Sequence, residues 1–398
     1  MSLISYSQEL TLEEVLRKTK EYNFSMKKQD LLIENNKIST KNYYKRRFLP
    51  SINFGAEGEL DEIKDKGIGP ERVSMKIDLD IGGQALNEYK IKKNSLEIAE
   101  LNRTKNWFSL EEEVISTYFQ YLSVRKNLNY IKKTLNILKK QQEKLEKMLK
   151  GGNLIPKNEL LKIEIEIEES NLQSISNELK EDTLKQKLFT LMGLELDQNI
   201  DFRDVNVMSL IINEKGDNLD SIEQVTSKES INSKINRLEI ENSIYDNKIA
   251  KAELLPEFYI KPEYLFDDVG YDKKGARVTV GFNWNFEWGN TLNDIEISNN
   301  NIKISEMDYL EKTSNQKLEI RNNFEQLKMA KLSLKITNKK IELMRENLKL
   351  DTSRFENRLM GSTEYFSSVN RLKEAEEKLY EQQQEIFLLN LKLKNLTS

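Results

Sequence analysis

The 398-residue chain contains no cysteine and no histidine. Disulfides, thiolate and imidazole metal ligands, Ser-His-Asp and Cys-His triads and imidazole proton shuttles are therefore unavailable to it. Proline and glycine are scarce, at 5 and 15 residues. The Lys/Glu/Leu/Ile/Asn-rich remainder has the composition of long helices rather than of a compact α/β fold. No window holds 18 consecutive apolar residues, which excludes a membrane-spanning helix. A transmembrane barrel is not excluded, because its strands carry a weaker, alternating signal. Charge is nearly balanced, 62 Lys+Arg against 66 Asp+Glu, and gives no reason to expect nucleic acid as a partner. Met1 to Tyr6 is too short and uncharged to be a whole secretory signal, so the expectation is either no signal or one already removed.

Because Gly and Pro break helices, their positions punctuate the chain. None occurs from Gln84 to Lys150, from Lys157 to Met192 or from Asn290 to Met360. The first and last of these gaps, at ~1.5 Å per residue, predict helices of roughly 100 Å. Within the first, Val124, Leu128, Ile131, Leu135, Leu138, Gln142, Leu145 and Leu149 alternate steps of four and three, the seam of a coiled coil. Leu327, Ala330, Leu334, Thr337, Ile341, Met344 and Leu348 repeat that seam in the last.

The punctuation is duplicated. Leu49-Pro50 recurs as Leu255-Pro256, Arg72-Val73-Ser74 as Arg277-Val278-Thr279, Gly82 as Gly289, and Glu159-Leu160-Leu161 as Glu364-Tyr365-Phe366, at offsets of 205 to 207. The chain reads as two repeats. Residues 1–195 hold a helix, strands 50–60 and 72–82, a long helix 84–149, a tip and a helix 157–192. Residues 228–398 hold a helix, strands 256–266 and 276–288, a long helix 291–355, a tip and a helix 362–396. The polar stretch 196–227 links them.

The strands alternate strictly. Val73, Met75, Ile77, Leu79 and Ile81 oppose Ser74, Lys76, Asp78 and Asp80, and Ala276, Val278, Val280, Phe282, Trp284, Phe286 and Trp288 oppose Arg277, Thr279, Gly281, Asn283, Asn285 and Glu287. Ile52, Phe54, Ala56 and Leu60 oppose Asn53, Glu57 and Glu59, while Phe258, Ile260, Tyr264 and Phe266 oppose Glu257, Lys261 and Glu263. Each run is long enough to cross a bilayer as a tilted strand. Charged, Gly-containing stretches at 61–70 and 267–275 read as hairpin loops. Pro262 cannot donate to a ladder, so a bulge or local edge is expected there.

Four strands cannot close a barrel, and an open edge in lipid leaves backbone groups unsatisfied. Three chains with four strands each would close twelve, apolar faces outward and charged faces lining a wet lumen. The expected fold is mainly α with a small β part: a long coiled-coil-like α-helical barrel plus a transmembrane β-barrel, four strands per chain, twelve-stranded as a homotrimer. Other readings stay open: a four-stranded sheet packed on a helix in a soluble protein, a soluble coiled-coil scaffold whose strands cap helical arms, and a periplasmic adaptor. The duplication and the four membrane-length strands speak against the adaptor.

In these features the chain resembles the TolC-like outer-membrane efflux proteins, from Leu12 to Leu396. The matching pieces are the Leu-Pro that turns a helix into a strand (Leu49-Pro50, Leu255-Pro256), Asp-Ile-Gly-Gly at 80–83, the break followed by an acid and two hydrophobes (Glu159-Leu160-Leu161, Glu364-Tyr365-Phe366), and Leu191-Met192-Gly193. The resemblance implies a homotrimer in outer-membrane lipid with a helical tunnel in the periplasm. It would be the exit duct of a tripartite efflux or type I secretion system, working with a periplasmic adaptor (membrane fusion) protein and an inner-membrane transporter. Without Cys, the N-terminal lipid anchor of some relatives is not expected.

Nothing in the sequence argues for catalysis, a cofactor or a metal site; Glu111-Glu112-Glu113 reads as a solvated helix face. The breaks at 150–158 and 356–363 are the candidate tip, where in a trimer any inward acid becomes a charged ring. By resemblance, Glu364 lines the constriction, Glu159 is the acid after the first break, and Phe355 and Arg358 lie near an aromatic and the tip loop. The next family acid is replaced by Ser367, so a second acidic ring is in doubt. We expect Arg358 to pair with Glu159 or Glu364 and hold the tip closed. Leu154, Ile155, Leu359 and Met360 are the expected adaptor-docking surface. Lys76, Asp78, Asp80, Glu57, Lys261, Glu263 and Arg277 are the expected barrel-lumen charges, of mixed sign and so without strong ion selectivity.

Overall fold

A computed structural model describes residues 8–55, 72–151, 157–196, 199–207, 229–266, 274–285, 289–357 and 359–397. In chain order the elements are β1 (Gln8–Leu10), α1 (Leu12–Tyr22), α2 (Phe24–Phe48), β2 (Ser51–Gly55), β3 (Arg72–Leu79), α3 (Gln84–Lys150), α4 (Lys157–Leu191), β4 (Ile200–Phe202), α5 (Ile231–Ala252), β5 (Glu257–Leu265), β6 (Gly275–Asn283), α6 (Asn290–Glu356) and α7 (Ser362–Thr397). The helices α3 and α6 have 67 residues each, so each runs roughly 100 Å. Among the described residues no helix is long and apolar enough to cross a membrane.

Contacts divide the chain into two compact units, and each draws on both sequence repeats. The first comprises Met1–Lys27, Asn106–Thr226 and Gln316–Ser398; the second comprises Lys28–Lys105 and Ser227–Asn315.

The first unit is helical around one aromatic-rich core. A capping box starts α1: Thr11 N–H donates to Glu14 Oε2 at 2.8 Å, and Glu14 N–H donates to Thr11 Oγ1 at 3.3 Å. Asn23 then ends α1 and begins α2, its Oδ1 accepting from Ser25 N–H at 2.8 Å while its Nδ2 donates to the Leu191 carbonyl at 2.8 Å. At that carbonyl α4 stops in a Schellman turn, with Leu194 N–H on Phe189 O at 2.9 Å and Gly193 N–H on Thr190 O at 3.0 Å. Gly193 has φ +66°, and a Cβ there would collide with the Tyr22 carbonyl.

A two-stranded parallel sheet, Gln8↔Ile200 to Leu10↔Phe202, crosses this core. Neither three-residue strand carries a readable periodicity, and β4 lies inside the stretch read as a polar linker. Phe202 meets the rings of Tyr118, Tyr121 and Phe189 at 5.7, 5.1 and 6.1 Å. The buried phenols keep partners: Tyr118 donates to Arg203 O at 2.6 Å and Tyr121 to Asp201 Oδ1 at 2.7 Å.

Away from that core the coiled-coil seams pack as patterned. Leu128, Ile131, Leu138, Leu327, Ala330, Thr337 and Ile341 are buried, and the remaining seam residues are half-buried. Leu138 joins Ile163, Ile167 and Phe366, bringing α3, α4 and α7 together, while Leu327 and Ala330 pack on Ile386 and Leu389 of α7.

In the second unit β2, β3, β5 and β6 form one antiparallel sheet in the order β2-β3-β5-β6. Pro262 neither bulges β5 nor lies at an edge. Pairing runs Ser74↔Glu263 and resumes at Ile77↔Ile260 in the same register, so no residue is inserted. The missing N–H interrupts the ladder locally, and the neighbouring pairs hold the strand between β3 and β6. Asp80 also differs from expectation. It follows β3, and its carboxylate accepts from Ala85 N–H at 3.1 Å and Leu86 N–H at 2.9 Å, capping α3 rather than presenting a charge on the sheet. The period-two pattern runs past the strand because the helix cap falls on the same parity as the polar face.

Candidate functional site

The register sorts the sheet into two faces. Phe54↔Val73↔Tyr264↔Ala276 forms one cross-strand row, and Ile77↔Ile260↔Val280 and Leu79↔Phe258↔Phe282 form others. All belong to one face, and that face is open: Phe54 is 74% exposed, Val280 70%, Val278 67% and Phe282 62%. Trp284, next along, is also exposed, whereas Phe286 and Trp288 lie outside the described residues.

The opposite face is polar and partly sheltered. Asn53↔Ser74↔Glu263↔Arg277 forms one row there, and Glu263 is only 6% exposed. Its carboxylate receives Arg277 Nε and, at 3.1 Å, Lys261 Nζ. Lys76 pairs with Asp78 at 2.8 Å and sits 5.2 Å from the Tyr259 ring centre. Gly281, opposite Tyr259, is where that ring lies: a Cβ would come within 2.5 Å of it. Sheets of water-soluble proteins put the apolar face inward. This one has the reverse polarity. Lys76, Asp78, Lys261, Glu263 and Arg277 share the polar face, on which Glu263 is buried while Asp78 and Arg277 are exposed; Glu57 lies outside the described residues.

At the helix breaks, α3 gives way to α4 and α6 to α7. Around the second, Leu359 N–H donates to Arg354 O at 2.8 Å and Tyr365 N–H to Gly361 O at 3.1 Å. Phe355 stacks on Tyr365 with centroids 4.5 Å apart and planes 6° from parallel. Tyr365 also meets Phe366, which is buried against α3 and α4. Glu364 is exposed and Ser367 half-buried. Glu159 accepts from Lys162 at 3.0 Å. Of the expected docking residues Leu359 is 78% exposed, whereas Met360 is half-buried and not the open apolar group the sequence promised. Leu154, Ile155 and Arg358 lie outside the described residues.

Sequence reasoning missed one cluster that ties three helices together. Tyr130 of α3 donates to Glu376 of α7, which also receives Arg345 of α6 at 2.7 and 3.2 Å. Burial and the Glu376 charge push Tyr130 up to about 12. One residue on, burial raises Glu377, and Lys373 at 3.7 Å opposes the shift. No local signal marks this cluster, because Tyr130 and Glu376 are 246 residues apart. Among the described residues no group of three or more His, Cys, Asp or Glu could hold a metal ion.

At the level of sequence, no family model and no curated protein matches the chain. Solved structures do. The Campylobacter jejuni CmeC outer membrane channel superposes with a TM-score of 0.80 at 14% identity, covering 97% of this chain and 85% of that one. The chain has the TolC-like fold. The same TolC-like arrangement relates it to the Vibrio cholerae outer membrane protein VceC, at TM-score 0.78, 13% identity and coverage of 97% and 95%. It also relates it to the open state of the Neisseria gonorrhoeae MtrE outer membrane channel, at TM-score 0.77, 13% identity and coverage of 100% and 94%.

Proposed function

We propose that this chain is an outer-membrane channel: a homotrimer in which three four-stranded sheets close a barrel of twelve strands and the long helices form a tunnel in the periplasm. The observation that carries this reading is the reversed polarity of the sheet. An apolar face that exposes Phe54 on one edge strand and Val278, Val280 and Phe282 on the other is expensive in water and favourable in hydrocarbon. A sheltered Glu263 with two cations fits the wet side of the same wall. The sheet edges at β2 and β6 leave backbone groups that only further strands can satisfy in lipid. Exposed apolar residues along the helices, such as Leu172 and Leu179 of α4 and Leu310 and Ile336 of α6, supply surface for neighbouring copies.

In this reading the protein is a passive conduit and performs no bond-making chemistry. It serves as the exit duct of a tripartite efflux or type I secretion system, gated at the helix breaks by Phe355, Arg358, Glu364 and Glu159. Leu154, Ile155, Leu359 and Met360 meet a periplasmic adaptor, which links the duct to an inner-membrane transporter. The two repeats, 1–195 and 228–398, descend in the same proposal from a duplication.

The test is the mass and shape of the purified protein in detergent. A threefold hollow particle that conducts ions in planar bilayers supports the channel. A detergent-independent monomer without conductance supports the soluble scaffold instead.

A further inference from the structure

Charge along the chain is balanced overall, yet between Glu34 and Glu57 there are five cations and no acid: Lys37, Lys41, Lys45, Arg46 and Arg47. These residues lie along α2 and end at Phe48, three residues before β2 begins at Ser51. Two of the five are engaged. Lys37 pairs with Glu100 at 3.2 Å, and Arg47 bonds Tyr43 and feels the charges of Glu88 and Glu257. Lys41, Lys45 and Arg46 are exposed, and none has an ion-pair partner among the described residues.

Beside them is an aromatic cluster. Tyr44 lies 5.2 Å from Phe48 and 5.7 Å from Tyr89, and Phe48 lies 6.2 Å from Tyr89 in an edge-on contact. Tyr43, donating to Glu88 of α3, fixes this turn of α2 against its neighbour. From Phe48, Lys45 and Arg46 stand back by ~3–5 Å along the helix axis and Lys41 by ~10 Å. Those offsets bracket the polar layer of a bilayer, which adds about 5–8 Å on each side of the hydrocarbon. Leu49 and Ile52, on the sheet side, are 53% and 58% exposed. Along the chain Lys41, Tyr44, Lys45, Arg46 and Phe48 follow one another and lead into the apolar wall, so free cations and aromatic rings share the turns next to the sheet, as they do at a membrane–water interface.

Attraction of cations to the helix C-terminal dipole accounts for charges in the last turn alone. It does not reach Lys41. The corresponding end of α5 is also different, since Lys251 there is followed by Glu253 and Glu257.

We propose that Lys41, Lys45 and Arg46 form a site for the phosphate of anionic phospholipid headgroups, which fixes the depth of the chain in the bilayer at Tyr44 and Phe48. The site rests on the reading of the sheet as a transmembrane wall. An anionic leaflet is the occupant because the three charges are of one sign, are uncompensated, and continue the apolar face.

The full chain is reconstituted into vesicles of phosphatidylcholine and of phosphatidylcholine mixed with phosphatidylglycerol, then re-extracted in mild detergent, and the retained lipid is analysed. Phosphatidylglycerol is expected to be enriched over its bulk proportion. The enrichment should fall with each charge removed and reach the bulk ratio in Lys41→Gln/Lys45→Gln/Arg46→Gln. It should persist in the control Lys328→Gln/Lys335→Gln/Lys339→Gln on α6. High salt should abolish the enrichment in the unaltered protein, so the result does not depend on the variant folding. Retention in bulk proportion by the unaltered protein, or enrichment that survives the triple substitution or high salt, overturns the headgroup site and leaves the channel standing. Failure of the unaltered protein to enter either vesicle overturns the channel, and the headgroup site with it.

Discussion

Phe355 and Tyr365 lie face to face across the α6–α7 break, centroids 4.5 Å apart and planes within 6° of parallel. The pair pins the last turn of one helix to the first turn of the next, and Phe366 anchors it in the cluster with Leu138 and Ile163. Replacing either ring by Ala should loosen the break. Stacked pairs contribute about 0.5–1.5 kcal/mol beyond their burial. Amide exchange at residues 350–368 should accelerate several-fold in each single variant, with little further change in the double. Additive acceleration would show that the rings act separately.

Gly193→Ala tests the close approach of α4's end to Tyr22. The position combines φ +66° with a Cβ that would strike the Tyr22 carbonyl. Strain and displacement together should lower stability by about 1–3 kcal/mol. Thermal unfolding followed by circular dichroism reads the change. The same substitution at Gly361, where φ is ordinary and no atom lies within 4 Å of a Cβ, should be close to neutral.

Tyr130 should register in alkaline unfolding. Its pKa is raised from 10.0 to about 12 by burial and by Glu376. A phenol that holds its proton more tightly when folded adds stability that is complete below the unfolded value and is lost as pH rises from 10.0 to about 12. Tyr130→Phe should cost about 1 kcal/mol at neutral pH through the lost hydrogen bond. It should also flatten part of the decline in that alkaline window, as measured by urea unfolding at stepped pH.

Glu377 follows the same direction with pH, but its substitution should have the opposite effect at neutral pH. Burial raises its pKa, so its proton contributes stability below the unfolded carboxyl value, and that contribution is lost as pH rises through the folded value. At neutral pH its charge is a liability, and one carboxylate oxygen is buried without a hydrogen-bond partner. Glu377→Gln should therefore stabilise at neutral pH, by no more than about 1 kcal/mol given its partial exposure. The gain should vanish in acid.

Much of this was legible in the sequence because it is periodic. Leu128, Ile131 and Leu138 announce an inward stripe by their spacing, and Val278, Val280 and Phe282 announce a face. What period could not convey is contact between distant segments. Tyr130 meets Glu376, and Gln8 pairs with Ile200, only after the helices have returned the chain to the same place. Asp80 shows the complementary failure, in which a pattern continues past the element that justifies it. The tip was legible as a break through its Gly and Pro. Which side chains face each other there depends on packing, and Met360 turned out half-buried where spacing alone left it open.

Val280→Lys separates membrane from water. In mid-bilayer a lysine on the lipid face costs about 2–4 kcal/mol, and assembly into vesicles should fall by an order of magnitude or more. On a sheet bathed in water, a 70% exposed position tolerates the change within about 0.5 kcal/mol.

In the proposed channel one face of this sheet lies in hydrocarbon. Because the chain has no cysteine, single cysteines introduced in turn at positions 276, 277, 278, 279, 280, 282 and 283 can be probed in vesicles with a water-soluble maleimide; position 281 is left out because the Tyr259 ring occupies the space of its Cβ. Protection is expected at 276, 278, 280 and 282, and reaction at 277, 279 and 283. Equal reactivity at all seven positions would show that neither face lies in lipid.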